Sequence, residues 1–249
     1  MHLTLLTGHS RGLGRALAEQ LLAPGHRLLG MSRQKAPGLE ALALARGAVL
    51  EEWQVDLADG AAVARRLGDW LALQDGQTWQ TVTLINNAGL MPAIVPLARS
   101  EPEDLARALR VDLETPMQLC ATFLRATERW SGTRRVLNVS SGLGRRPMAS
   151  QSAYCAAKAG MDHFTRCLAM DEAQRPDGAR VCSLAPGVIA TDMQLQLRSA
   201  DPADFPNLSA FEGLHREGRL SPPREAARQM LAYLARPDFG KNPVADVRD

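Results

Sequence analysis

The chain has 249 residues, of which 45% are apolar and 22% are charged, and its formal net charge is only +2. This composition is typical of an ordinary globular protein and excludes a disordered chain, and the balanced charge predicts neither a nucleic-acid partner nor a membrane-surface partner. The sequence has no apolar run of the roughly 18 residues that a membrane-spanning helix needs, and its N-terminus lacks the pattern of a signal peptide.

The first part of the chain alternates short apolar runs with amphipathic segments. Strands are predicted over 3–7, 26–31, 49–55 and 81–86, and helices over 12–22, 39–46 and 58–73. The strands are rich in β-branched or apolar residues, whereas the helical segments have apolar residues at a spacing of three and four. Strands that alternate with helices in this way predict a parallel sheet that is covered on both faces.

The second part continues the alternation with longer helices. A helical region is predicted over 103–130, interrupted near Pro116, followed by a strand over 135–140, a helix over 152–174 and a strand over 180–184. Residues 191–223 break the pattern with several prolines and glycines, and we predict a substrate-binding loop or lid there. A helix over 224–234 and an edge strand over 243–247 end the chain. We therefore predict one doubly wound Rossmann-type α/β domain over 1–249, with a seven-stranded, mostly parallel sheet.

A glycine-rich turn joins the first strand to the first helix. Gly8 permits the tight turn, Gly12 lets the backbone approach a ligand, and Gly14 lets the helix pack closely on the sheet. The N–H groups at the start of the helix then face an anion such as a dinucleotide pyrophosphate. The alternative is a glycine-rich turn without a ligand. The residues assigned to the dinucleotide here are Gly8, Ser10, Arg11, Gly12, Leu13 and Gly14.

The end of the second predicted strand indicates which dinucleotide is bound. An NAD site places an acid there to bind the ribose 2′-hydroxyl, but this chain has Ser32 and Arg33. Arg33 and Arg11 are predicted to bind a 2′-phosphate through charge-assisted hydrogen bonds, which favours NADP(H). Two solvated surface arginines are the alternative in a chain this rich in arginine.

Tyr154 and Lys158 form the candidate catalytic pair. A spacing of four on a helix places both side chains on one face, and the chain has only two tyrosines. A lysine ammonium lowers the pKa of a nearby phenol, which lets a tyrosine exchange a proton with a carbonyl or alcohol oxygen. Ser141, just after the fifth strand, is predicted to hold the same oxygen. An amphipathic helix with an exposed lysine is the alternative.

The glycine turn together with Ser141, Tyr154 and Lys158 resembles the short-chain dehydrogenase/reductase family. Three further segments match motifs of that family: Asp56-Leu57, Asn86-Asn87-Ala88-Gly89, and Pro186-Gly187-Val188-Ile189-Ala190-Thr191. The resemblance implies that Asp56 and Leu57 hold the adenine, and that Asn87, Ala88 and Gly89 shape the adenosine side of the site. It implies further that Pro186, Gly187, Val188, Ile189 and Thr191 hold the nicotinamide. An N-cap for the next helix is an equal alternative for Asp56.

Asp112 departs from the family pattern. The family usually has an asparagine at this position, whose backbone carbonyl holds a water that relays protons to the lysine. Asp112 keeps the carbonyl but lacks the amide donor, and an ionised carboxylate nearby would raise the proton affinity of the lysine. We therefore place Asp112 in the catalytic group and expect activity to survive.

The C-terminal part is similar to the branch of the family that contains sepiapterin reductases and bacterial benzil reductases. Residues 185–194 and the ending at 239–249 carry this similarity. It implies that Asp246 binds a pterin ring, although a frayed charged tail is the alternative. Ser141, Leu143, Tyr154, Met193 and Asp246 are the predicted substrate residues, and a diketone is favoured slightly over a pterin.

The predicted function is an NADPH-dependent carbonyl reductase that acts on a small-molecule ketone, diketone or pterin side chain. A non-catalytic NADP(H)-sensing protein on the same fold is the alternative, but it would not need Ser141, Tyr154 and Lys158. The four cysteines lack zinc or disulfide spacing, so we expect no metal and a cytoplasmic location. The resemblance also implies a homodimer or homotetramer that pairs the helices carrying Asp112 and Tyr154.

Overall fold

Strands and helices alternate along the chain, and a computed structural model describes all of its residues, 1–249. The strands are β1 (His2–Thr7), β2 (His26–Ser32), β3 (Val49–Gln54), β4 (Thr81–Asn86), β5 (Thr133–Val139), β6 (Arg180–Ala185) and β7 (Val244–Asp246). The helices are α1 (Gly12–Leu21), α2 (Leu39–Ala45), α3 (Gly60–Ala72), α4 (Pro102–Leu109), α5 (Thr115–Ala126), α6 (Ser152–Ala173), α7 (Asp192–Arg198), α8 (Leu208–Arg216) and α9 (Pro223–Ala235). None of these helices has the length and apolar character needed to cross a membrane.

The strands form one seven-stranded sheet in the order β3-β2-β1-β4-β5-β6-β7. Every neighbouring pair is parallel, including β6 with the short edge strand β7. The doubly wound α/β prediction is confirmed, and the sheet is wholly rather than mostly parallel. The strand order reverses between β1 and β4, and ligands of such sheets bind at the carboxyl ends of the strands beside this reversal.

Each face of the sheet has its own apolar core. Successive residues of a strand point to opposite faces, so Leu6 packs in the core that contains α1 and α9, while Leu5 packs in the core that contains α3 and α5. Leu17 and Met230 are fully buried in the first core, and Phe123 is fully buried in the second. Both faces are therefore covered by helices, and the carboxyl ends of the strands remain as the open edge.

The helical region predicted over 103–130 is divided by a π-helical turn at Arg110–Glu114. Pro116 lies in the first turn of α5 and has no N–H, so it cannot donate the helical hydrogen bond to the carbonyl of Asp112 four residues earlier. The interruption therefore falls about one turn before the proline. It places Asp112 on the wide turn, with its side chain buried.

Residues 191–223 contain two helices, α7 and α8, where the sequence predicted an irregular loop or lid. Both helices are short, and Pro202 and Pro206 lie in the connection between them, which hides the helical pattern. The two helices contact each other, and the ring of Phe211 lies 5.5 Å from that of Phe205. The segment is thus a packed helical pair.

Candidate active site

A cavity of about 890 Å³ lies at the carboxyl ends of the strands. The residues predicted to bind the cofactor all lie on its wall: Gly8, Ser10, Arg11, Gly12, Leu13, Gly14, Ser32, Arg33, Asp56, Leu57, Asn87, Ala88, Gly89, Tyr154, Lys158, Pro186, Gly187, Val188, Ile189 and Thr191. The predicted substrate residues Ser141, Leu143, Met193 and Asp246 lie on the same wall. Asp112 lies behind the wall. The fold thus gathers segments from most of the chain at one site.

The glycine turn is closed tightly against the sheet. A Cβ atom at Gly14 would overlap the carbonyl oxygen of Gly8, so only glycine permits this approach of α1 to the turn. Asn87 fixes the turn from β4, because its side-chain amide donates to the carbonyl of Thr7 at 2.9 Å. The backbone N–H groups of Asn87 and Ala88 donate to the hydroxyl of Thr7. Asn87 and Ala88 therefore hold the glycine turn in place through their contacts with Thr7.

The start of α1 is suited to an anion. No side chain caps this helix, so its first N–H groups remain available at the cavity wall. Gly12 has a positive φ of 55°, and a Cβ there would enter the space in front of Thr191, 3.6 Å from its methyl group. The space between the turn and the segment ending at Thr191 therefore fits the diphosphate and nicotinamide part of a dinucleotide.

Two arginines of the cavity wall differ in their pairing. Arg11 is paired with Asp192 at 2.9 Å, and both side chains are exposed. Arg33 lies on the wall with no carboxylate partner. The alternative that Asp56 caps the next helix is wrong, because Asp59 caps α3 by accepting from the N–H of Ala62.

Asp56 instead links two segments at the cavity wall. One of its oxygens accepts from the backbone N–H of Ala58, and the other accepts from the guanidinium of Arg107 on α4 at 3.3 Å. Leu57, the next residue, is buried, and its carbonyl accepts from the hydroxyl of Thr115. These contacts fix this part of the cavity wall.

Tyr154 and Lys158 lie one turn apart on α6 and face the cavity together. The ammonium nitrogen of Lys158 lies 5.6 Å from the centre of the Tyr154 ring and donates to the carbonyl of Val139 at 3.1 Å. Burial raises the pKa of Tyr154 above its ordinary value, while Lys158 and the Ser141 hydroxyl lower it. Lys158 thus lowers the pKa of Tyr154, as predicted, but burial raises it by more. Tyr154 is therefore a protonated phenol at neutral pH.

Asp112 places a buried carboxyl group beside Lys158. Its side chain is 1% exposed, one carboxylate oxygen lies 3.9 Å from the lysine nitrogen, and the other accepts from the N–H of Leu90 at 2.6 Å. Burial raises the pKa of Asp112 to about 6, although Lys158 and the Leu90 N–H act to lower it. The oxygen that faces Lys158 has no hydrogen-bond partner. Burial therefore disfavours the ionised carboxylate even beside Lys158.

Asp162 is a buried carboxylate that sequence reasoning did not select. It lies one turn after Lys158 on α6, and one of its oxygens accepts from the hydroxyls of Ser140 and Ser183 at 2.5 and 2.7 Å. Its other oxygen accepts from Arg145, whose guanidinium also donates to the carbonyl of Ala245. Asp162 thus connects α6 to the ends of β5, β6 and β7. Its spacing of four from Lys158 was the available signal.

The substrate end of the cavity is mainly apolar. Tyr154 belongs to a small buried cluster that is separate from the two sheet cores and contains Met91, Ile94, Leu197 and Phe205. Leu143 and Met193 pack against this cluster. Most of these residues come from α7, the connection that follows it and the segment after β4, and Phe211 of α8 packs against the same cluster. The two helices thus contribute to an apolar wall beside the catalytic pair.

Asp246 lies on the same wall but is engaged within the protein. Arg248 donates to both of its carboxylate oxygens at 2.6 Å. This pairing, with further help from Arg145, lowers the pKa of Asp246 below its ordinary value. A pterin ring would therefore have to compete with Arg248 for this carboxylate.

Known proteins are similar to this chain in both sequence and fold. The model of the short chain dehydrogenase family matches residues 2–202. The chain is 32% identical to a benzil reductase ((S)-benzoin forming) of Bacillus cereus over 98% of each protein, and 33% identical to sepiapterin reductase of Xenopus laevis over 93% of this chain and 90% of that protein. A metagenomic short-chain oxidoreductase in complex with NADP superposes with a TM-score of 0.67 at 30% identity, over 76% of this chain and 83% of the other. The chain therefore belongs to the short-chain dehydrogenase/reductase family.

Proposed function

We propose that this protein is an NADPH-dependent carbonyl reductase. The observation that carries the proposal is the buried, protonated Tyr154 beside Lys158 and Ser141, on the wall of the same cavity as the glycine turn. Benzil reductase and sepiapterin reductase are relatives over nearly the whole chain. The site has a proton donor, a cation and a hydroxyl around an apolar space, which is what reduction of a carbonyl requires.

The residues around the glycine turn and the Thr191 segment fit a nicotinamide dinucleotide. The N–H groups at the start of α1 would hold the diphosphate, Arg33 and Ser32 the 2′-phosphate, and Ile189 and Thr191 the nicotinamide carboxamide. When bound, the cofactor supplies a hydride to the carbonyl carbon of the substrate. The absence of an acid at the end of β2 and the NADP in the metagenomic relative support NADPH over NADH.

The chain's own residues then complete the reduction. The Ser141 hydroxyl donates to the substrate oxygen and orients it, and its exposure to the cavity permits this contact. The phenol of Tyr154 gives its proton to that oxygen as negative charge develops there, which yields the alcohol. The ammonium of Lys158 stabilises the resulting phenolate until the phenol is protonated again. The apolar cluster around Tyr154 excludes water from the reacting carbonyl.

Tyr154→Phe tests the catalytic assignment. The variant loses the proton donor and little volume, so turnover should fall by about 10²-fold or more, the usual contribution of a general acid, while NADPH binding is retained. Steady-state NADPH oxidation and calorimetric binding measure the two quantities. Turnover near the wild-type rate would contradict the assignment and favour an NADP(H)-sensing protein.

Arg33→Ala tests the choice of nucleotide. Hydrogen bonds from a guanidinium to a phosphate contribute about 1.5–3 kcal/mol, so the wild-type preference for NADPH over NADH should be roughly ten- to a hundredfold. The substitution should remove most of that preference and leave the affinity for NADH unchanged. Equal affinities of the wild type for NADPH and NADH would refute an NADP-specific site.

We propose a diketone rather than a pterin as the substrate class. The apolar cluster fits an aromatic or aliphatic diketone, whereas the pterin interpretation needs Asp246, which is held by Arg248. Reduction of benzil and of sepiapterin, measured side by side, separates the two. Asp246→Asn should leave benzil reduction nearly unchanged. Efficient sepiapterin reduction with a KM that rises sharply in Asp246→Asn would establish the pterin alternative.

We propose a homodimer or homotetramer in the cytoplasm. The two helices predicted to pair carry exposed apolar side chains, Met117 on α5 and Met170 on α6, which are 41% and 70% exposed. Burial of such side chains against a second copy is favourable. The four cysteines are all free, which fits a reducing compartment. Light scattering that gives a monomer mass at every concentration would refute the assembly.

A further inference from the structure

A buried histidine of the glycine turn is hydrogen-bonded to a glutamate two strands away. His9 follows Gly8 and is fully buried, and Glu52 on β3 has a side chain that is 6% exposed. The ring nitrogen Nε2 of His9 lies 2.7 Å from Oε1 of Glu52. Because a carboxylate can only accept here, Nε2 carries the proton and donates it. The other ring nitrogen has no partner, so this bond is the only polar contact of the ring.

The strand between the two residues makes room for this contact. Gly30 on β2 is paired with Glu52 in the sheet register. A Cβ atom at Gly30 would lie only 2.5 Å from the ring of His9, so the ring lies directly against the backbone of β2. A glycine on β2 therefore allows His9 to reach across that strand to Glu52.

The same carboxylate oxygen also fixes the loop that follows β2. Oε1 of Glu52 accepts from the backbone N–H of Ala36 at 2.7 Å, and Ala36 is buried. Arg33 and Gln34, which precede Ala36 in this loop, lie on the cavity wall at its adenosine end. Glu52 itself does not line the cavity. Glu52 thus anchors the loop that carries Arg33.

We propose that His9 and Glu52 are positioning residues for nucleotide choice, an inference that rests on the proposed preference for NADPH. His9 holds the carboxylate of Glu52 away from the adenosine site and beneath the loop, where it anchors Ala36. Without the His9 donor, only the Ala36 N–H still holds Glu52, and the carboxylate can exchange that one bond for a position nearer the ribose. There it would repel a 2′-phosphate and accept a hydrogen bond from a 2′-hydroxyl, so the preference would shift towards NADH.

The test uses His9→Leu, which fills the ring's volume without a donor, with His9→Ala as the second variant. Calorimetric titration with NADPH and with NADH should show NADPH affinity reduced on the order of tenfold, as expected for one added charge near the phosphate, with NADH affinity unchanged or higher. Glu52→Gln keeps the accepting oxygen without the charge and should bind both nucleotides as the wild type does. The double variant His9→Leu/Glu52→Gln should recover most of the NADPH affinity.

His26→Ala is the matched control, because His26 is a hydrogen-bonded histidine at the opposite end of β2, where its ring contacts the hydroxyl of Thr4. This variant should not change the ratio of the two affinities. The positioning role would be overturned if His9→Leu lost affinity for NADPH and NADH equally, or if the double variant did not recover NADPH affinity. A wild type without NADPH preference would instead overturn the proposed cofactor, and the inference with it.

Discussion

Asp112→Asn replaces the buried carboxyl group beside Lys158 by an amide of nearly the same shape. Burial raises the pKa of Asp112 from 3.8 to about 6, and the side chain is 1% exposed. Such a rise in pKa corresponds to about 3 kcal/mol of folding free energy, by which ionisation of this group disfavours the native state. The amide can still accept from the Leu90 N–H, so the variant removes the charge and keeps the backbone contact.

The sign of the pH dependence follows from the raised pKa. Between about pH 4 and pH 6 the native protein holds a proton on Asp112 that the unfolded chain has lost, so wild-type stability falls as pH rises through this window. The amide in the variant does not titrate. The variant should equal the wild type near pH 4 and exceed it above pH 6.5, by at most about 3 kcal/mol.

Urea denaturation of both proteins at several pH values from 4 to 8 measures the difference. Asp104→Asn is the control, because Asp104 also accepts from a backbone N–H, that of Ala93, but is partly exposed. The control should not reproduce the pH-dependent gain. A difference between Asp112→Asn and wild type that stays constant from pH 4 to pH 8, or a variant less stable at pH 7.5, would refute the reasoning.

The same substitution has a kinetic consequence. The charge of Asp112 raises the pKa of Tyr154, so its removal should lower that pKa. In the direction of alcohol oxidation, where the phenolate is the base, the rise of kcat with pH should therefore begin at lower pH in Asp112→Asn. Reduction at pH 7 should be equal to or faster than that of the wild type. A complete loss of activity would assign the carboxylate a direct role.

Two further substitutions test the buried contacts. Asp162→Ala leaves the buried hydroxyls of Ser140 and Ser183 without their acceptor, so it should cost about 1–3 kcal/mol of stability for each unpaired hydroxyl. Because Ser140 adjoins Ser141 at the cavity wall, the variant should also lower kcat more than NADPH affinity; an undiminished kcat would show that Asp162 does not position the segment that carries Ser141. Gly30→Ala should be strongly destabilising because its Cβ meets the His9 ring, and His9→Ala in the same chain should relieve the clash; equal melting temperatures of Gly30→Ala and wild type would contradict this contact.

The features that sequence predicted are those fixed by local spacing. Tyr154 and Lys158 share a helix face because their spacing of four is close to one turn, whatever the rest of the fold does. The glycine turn is likewise local, since Gly8 and Gly14 contact each other within one strand-turn-helix unit. Alternation of apolar strands and helices then requires a parallel sheet, which places the carboxyl ends of all strands on one edge.

The features that sequence did not predict join residues far apart in the chain. Glu52 lies on a strand where an acid is typical of a solvated position, and only the register of β2 with β3 brings it to His9. Asp162 lies on the buried face of α6, and its partners come from the ends of two strands. The direction in which the pKa of Tyr154 shifts was also not predicted, because the spacing shows the nearby Lys158 but not the burial of the phenol.

The sequence shows which arginines the chain contains, but only the fold shows which of them are already paired with carboxylates of the protein. Five arginines line the cavity, and Arg11, Arg107 and Arg248 are paired with carboxylates of the protein, whereas Arg33 and Arg146 are not. An exposed pair such as that of Arg11 contributes at most about 1 kcal/mol, yet a phosphate must displace it before Arg11 can bind. Arg33 needs no such displacement. Of the two arginines predicted to bind the 2′-phosphate, Arg33 should therefore contribute more to NADPH affinity, and Arg11→Ala should have the smaller effect.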